Sequence, residues 1–118
     1  TIAQYYMEDM RHKKKEEMKL LLLNSKTKLI GESELSLGTV NTTLVSPREV
    51  FVEALRRNAV AVILLHNHPS GDPTPSKQDV LITRRVTEAG RLIGVELLDH
   101  IIIGDNCFIS LRDKGFFD

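Results

Sequence analysis

Two stretches of the chain are apolar without interruption, "LLLL" at positions 20–23 and "AVILL" at 61–65. Both are short and bounded by polar residues, and the second is partly β-branched, which predicts buried strands. Around them the pattern changes period. Residues 2–17 predict a helix, 18–24 the first strand, 25–27 a turn, and 28–37 a second strand that closes a hairpin with the first. Gly38 and the polar "TVNTT" after it break the pattern. A helix then starts at "SPREVFVEALRRN", with Ser46 as N-cap, Pro47 at N1, Glu49 at N3, and Val50, Phe51, Ala54 and Leu55 on one face. A strand at 60–65 follows, then a loop rich in Pro and Gly, then a helix at 76–92 that closes near Gly94. Strands at 95–103 and 107–111, joined by "GDN", predict a second hairpin. The order is mixed α and β, without repeats, low-complexity tracts or an internal linker.

A length of 118 residues predicts one domain with a modest core. The formal charge is zero, with 16 basic and 16 acidic residues, so the chain lacks the basic excess of a dedicated nucleic-acid binder. Its one basic run, "RHKKK" at 11–15, reads as a solvated helix face that includes His12. A lone cysteine, Cys107, excludes an internal disulfide; it fits a reducing compartment, with cytoplasm as the default, and is expected to pack as a small hydrophobe. No apolar segment approaches the length needed to cross a bilayer, and no signal peptide is expected from the charged N-terminal stretch. The start at Thr1 rather than Met leads us to expect a piece of a longer protein. There is no Walker loop and no GxGxxG.

The candidate chemistry lies in "HNHPSGDPTPSKQD", residues 66–79. Residues i and i+2 of a strand share a side, so His66 and His68 converge on one point at the end of the apolar run. Asp79, in the first turn of the next helix, leans back toward them. Two imidazoles and one carboxylate make a zinc shell with a fourth position open for water. The same set resembles the facial triad of non-haem iron enzymes, so the metal stays open at this level. "SKQD" also reads as a capping box between Ser76 and Asp79, which needs no metal but leaves the two histidines unexplained. His100, in "LLDHIII", is expected to play a supporting role rather than to ligate.

His66-x-His68, seven residues, Ser76, two residues and Asp79 match the JAMM (MPN+) metalloprotease pattern. With "SPREVFVEALRRNA" upstream and "GVELLDHIIIG" downstream, the chain closely resembles the bacterial RadC family over nearly its whole length. The resemblance implies an α/β fold, a single-domain mixed sheet flanked by helices as in JAMM, MPN and cytidine-deaminase-like zinc enzymes. It also implies one Zn2+ on His66, His68 and Asp79, and hydrolysis of peptide or isopeptide bonds in a peptide or protein substrate. The pattern calls for a glutamate at the end of the first helix; counted back from "LLLLN" it falls on Glu16, with Glu17 as the adjacent alternative. Glu16 would serve as general acid and base, and the Ser76 hydroxyl would donate to the developing oxyanion. RadC-like proteins also carry a traditional DNA-repair label, which keeps a non-hydrolytic module of DNA transactions as the alternative function. Longer members have an N-terminal helix-hairpin-helix region, so this chain is expected to be the C-terminal domain of such a protein.

Overall fold

In the computed structural model of the chain, residues 1–37 and 45–117 are described. The elements are α1 (Ile2–Met10), β1 (Glu17–Leu23), β2 (Leu29–Leu37), α2 (Pro47–Arg56), β3 (Ala61–Asn67), α3 (Lys77–Ile93), β4 (Glu96–Ile103) and β5 (Phe108–Ser110). The strands form one mixed sheet in the order β2-β1-β3-β4-β5, antiparallel throughout except for β3 beside β4. This is a small α/β domain of the kind expected. The break assigned to "TVNTT" lies outside the described residues.

The two apolar runs are adjacent central strands, β1 and β3, and alternation along them divides the core in two. Met18, Leu20, Leu22, Val62 and Leu64 pack with Val50, Phe51 and Ala54 of α2 and Ile82 and Val86 of α3. Leu21, Leu23, Ala61, Ile63 and Leu65 pack on the opposite side with Ala3, Tyr6, Met7 and Met10 of α1. A sheet covered on both faces explains why its central strands read as unbroken apolar runs. Each fully buried leucine there contributes about 1.5–3 kcal/mol.

Four expectations about the helices change. The helix assigned to residues 2–17 ends at Met10, because its buried stripe, Ala3, Tyr6, Met7 and Met10, has lysines where the next turn would need apolar residues. The basic run therefore lies in the α1–β1 connector, not on a helix face; Arg11 pairs with Glu8, Lys13 pairs with Glu17, and His12 is exposed. Ser46 precedes α2 in extended conformation but makes no side-chain cap bond, so Pro47 and Glu49 mark that start instead. Leu55 is exposed, not part of the buried face.

Cys107 is exposed rather than packed, since it sits before β5 at the mouth of the turn that Asn106 makes with φ 57°. The preceding Gly104 is needed for close approach: a Cβ there would stand 2.2 Å from the Gly71 carbonyl oxygen. Asp105 N–H donates to that same oxygen at 2.9 Å, so the β4–β5 turn is fastened to the loop after His68. Among the described residues, no helix is long and apolar enough to cross a membrane.

Candidate metal centre

Register brings the site together. Met18 of β1 pairs with His66 of β3, so the residues just before β1 arrive beside the two histidines at the end of β3. Glu16 is therefore not at the end of a helix, as expected, but in the connector entering the strand. Asn67, between the histidines and 1% exposed, fixes it there. Glu17 N–H donates to Asn67 Oδ1 at 2.7 Å, and Asn67 Nδ2 donates to the Lys15 carbonyl at 3.1 Å, so the backbone is held on both sides of Glu16. Glu17 points elsewhere, to Lys13 at 3.1 Å.

Glu16, His66, His68 and Asp79 each present a ligand atom, and the four atoms lie within 4.8 Å of one another. His66 Nε2 is 3.2 Å from Asp79 Oδ1 and 3.4 Å from Glu16 Oε1. His68 Nε2 is 3.1 Å from Asp79 Oδ2. His66 and Asp79 are buried, whereas the side chain of His68 keeps 16% exposure, so the cluster opens to solvent on the His68 side. His68 Nδ1–H donates to the Asp72 carbonyl at 3.0 Å, so Nε2 is the ring nitrogen that faces inward, toward Asp79 Oδ2. Pro69, Pro73 and Pro75 stiffen the loop that supplies this carbonyl.

The capping box and the cluster are built from the same residues. Asp79 N–H donates to Ser76 Oγ at 3.0 Å, and Ser76 N–H donates to Asp79 Oδ2 at 2.8 Å. Capping therefore aims the Asp79 carboxylate at the histidines instead of competing with them. Ser76 lies outside the four-residue cluster, and because its oxygen accepts the cap bond its own proton remains to be donated.

A metal ion fits this set on the evidence of two atoms. His66 Nε2 and Asp79 Oδ1 are buried and have no hydrogen-bond partner, although they face each other closely. Orphaned polar atoms of this kind are unfavourable unless something else satisfies both. Ligands at about 2.0–2.2 Å from a tetrahedral ion stand roughly 3.3–3.6 Å apart, close to the spacings seen here.

Charge in the cluster follows from burial and contacts. Burial alone would raise Asp79, but the facing imidazoles and the Ser76 amide hold its carboxyl well below the usual range. Burial pushes Glu16 up, outweighing the nearby histidines. Burial alone would lower His68, but its bonds to Asp79 and the Asp72 carbonyl raise it. His100, wholly buried, is held well below the usual imidazole range by desolvation and by His66.

His100 was expected to support the site rather than ligate, and it touches a ligand directly: its Nε2 is 2.8 Å from His66 Nδ1. Its Nδ1 is 2.7 Å from Thr83 Oγ1, which in turn donates to the Asp79 carbonyl at 2.8 Å. Asn67 and Thr83 were not singled out in the sequence. Asn67 carries a signal in hindsight, as a polar residue between two others at the end of an apolar strand; Thr83 carries none beyond its place one helical turn after Asp79.

Against known families, the profile described as RadC-like JAB domain matches residues 1–116. The chain is 52% identical over 114 residues to a UPF0758 protein of Desulfitobacterium hafniense, covering 97% of this chain and 50% of that protein. It is 53% identical over 113 residues to a UPF0758 protein of Bacillus cereus (96% and 50%) and 53% identical over 114 residues to one of Geobacillus kaustophilus (97% and 50%). The chain thus spans about half the length of these curated relatives.

Proposed function

This chain belongs to the family of RadC-like JAB domains, and from that premise we propose that it is a zinc-dependent peptidase cutting peptide or isopeptide bonds. The observation that supports the reading is the pair of buried, partnerless atoms, His66 Nε2 and Asp79 Oδ1, in a cluster shared with His68 and Glu16. His66, His68 and Asp79 would hold the ion. Zinc is preferred because two neutral imidazole nitrogens and one carboxylate are its common catalytic donor set. When bound, such an ion acts as a Lewis acid and lowers the pKa of an attached water toward about 7.

The chain's own groups do the remaining work. Glu16 accepts the proton of the attacking water and returns it to the leaving amine, and the Asn67 clamp keeps its carboxylate beside the histidines. Ser76 has a hydroxyl proton to donate to the oxygen on which charge develops. Loop rigidity and burial of His66 and Asp79 hold these groups in place before substrate arrives.

The test pairs composition with chemistry. Elemental analysis of wild type should give one zinc per chain, and His68→Ala clearly less. Glu16→Gln should retain zinc and lose hydrolysis of a mixed peptide and isopeptide set, whereas Glu17→Gln should be nearly silent. Equal zinc in wild type and His68→Ala, or hydrolysis that survives Glu16→Gln and a chelator, refutes the reading.

A further inference from the structure

His66 is the one ligand whose outer nitrogen meets neither a carbonyl nor a carboxylate but a second imidazole, and that imidazole is fully buried. Two imidazole nitrogens 2.8 Å apart share one proton, so one must donate and the other accept. The direction is set at the far end of the chain of contacts. The Thr83 hydroxyl has a single proton, and the Asp79 carbonyl 2.8 Å away can only accept. With its proton committed there, Thr83 Oγ1 accepts from His100 Nδ1–H at 2.7 Å. A neutral His100 protonated on Nδ1 has a bare Nε2, which accepts from His66 Nδ1–H. The last link leaves His66 Nε2 without a proton, its lone pair turned toward Asp79 Oδ1 at 3.2 Å and Glu16 Oε1 at 3.4 Å, an arrangement that a cation among them would satisfy.

We infer that Thr83 and His100 are positioning residues that fix the ring tautomer of His66, so that its Nε2 lone pair is presented to the cluster. The inference rests on the metal-centre reading for its consequence, but not for the tautomer itself. An outer partner that fixes tautomer and ring orientation is typically worth ten- to a hundredfold in metal affinity. The chain of bonds also returns to its starting point. It leaves the centre through His66, crosses β4 and α3, and ends on the backbone of Asp79, so one network orients the ring of one ligand and braces the helical turn that carries another.

Thr83→Val keeps the shape and removes the hydroxyl, leaving His100 Nδ1–H without an acceptor. His100 then moves its proton to Nε2, His66 must accept on Nδ1, and its remaining proton moves to Nε2, where it opposes a cation. The experiment records long-range 1H–15N spectra of the histidine rings after chelator treatment, under mildly alkaline conditions where imidazole is neutral. It also measures zinc affinity by chelator competition. Wild type should show His66 protonated on Nδ1. Thr83→Val should shift that proton to Nε2 and weaken zinc binding by about tenfold or more, while Thr83→Ser, which keeps the hydroxyl, stays within about threefold of wild type. A wild-type His66 protonated on Nε2 overturns the inference, as does a Thr83→Val protein with unchanged tautomer or unchanged zinc affinity. Should Thr83→Val fail to fold, the wild-type spectrum alone decides. A wild type that takes up no zinc removes the peptidase reading, and the ring spectra still judge the relay.

Discussion

Asn67→Leu probes the clamp that holds the backbone around Glu16. Leucine keeps the branched outline of asparagine but is bulkier, so at a position 1% exposed the change removes two hydrogen bonds without opening a cavity and adds some overpacking. Each such bond contributes about 0.5–1.5 kcal/mol net, and a donor or acceptor left unpaired costs about 1–3 kcal/mol where water is excluded. Glu17 is only partly buried, so water recovers some of this; the expected loss is about 2–3 kcal/mol. A chain of 118 residues has an unfolding entropy near 0.25 kcal/mol/K, which converts that loss to roughly 8–12 °C in Tm. Thermal denaturation followed by circular dichroism gives the global number. Hydrogen exchange at the Glu17 amide gives the local one, and that amide should exchange at least about tenfold faster once its acceptor at 2.7 Å is gone. Zinc content should change little, because the Asn67 side chain bonds to the backbone around Glu16 and to no ligand side chain. A fall in Tm below about 2 °C together with unchanged exchange at Glu17 refutes the clamp.

Gly104→Ala should cost about 1–3 kcal/mol in thermal unfolding, because the added Cβ meets the Gly71 carbonyl at 2.2 Å and Pro73 Cδ at 2.9 Å; a neutral change would mean that the two turns are not fastened. Tyr6 donates to Glu32, and its phenol is raised above the ordinary value of 10.0 by burial first and then by Glu32, while Lys19, held by Asp9 and Glu32, is raised above 10.5 despite its burial. Both raised groups stabilise fully below their unfolded values and lose that contribution as pH rises through the folded ones, so Tm should fall steeply above about pH 10 and less steeply in Tyr6→Phe; equal slopes would refute the linkage. With zero formal charge and Lys13 already paired to Glu17, duplex DNA should bind no tighter than about micromolar at physiological salt by fluorescence anisotropy. Submicromolar binding that is lost on neutralising Lys13, Lys14 and Lys15 would favour the DNA-transaction alternative.

What the sequence disclosed follows how local each signal is. The β3 run, the i, i+2 histidines and the box at Ser76 and Asp79 are decided within a few residues, and the structure assembles them as that pattern predicts. The αL conformation of Gly94 that closes α3 is equally local. Glu16 depended on family resemblance, since nothing nearby separates it from any other carboxylate; its place comes from the β1–β3 register, fifty residues away in sequence at the Glu17–Asn67 bond. The end of the first helix is also a local signal, because its apolar stripe stops at Met10. The supporting role of His100 is legible, but its alignment with the site depends on a register shift: Val62 pairs with Leu97 but Ile63 with Asp99, so Leu98 is an extra residue. Counting by twos from Leu97 puts Asp99 beside Leu64, whereas the bulge puts His100 there.

The site is divided unequally along the chain. His68 and Asp79 are eleven residues apart and joined by one loop, whereas the clamp on Glu16 spans fifty. By loop-closure entropy alone the longer span costs about 1.3 kcal/mol more to close, and it also requires the central antiparallel pairing, while the shorter one requires only a strand end and one helical turn. Under the proposed reading, capture of the ion and delivery of the proton acceptor are therefore separable events, the first available to a chain whose β1 has not yet docked. Metal content counts chains that have closed the short loop; only turnover counts those that have closed both.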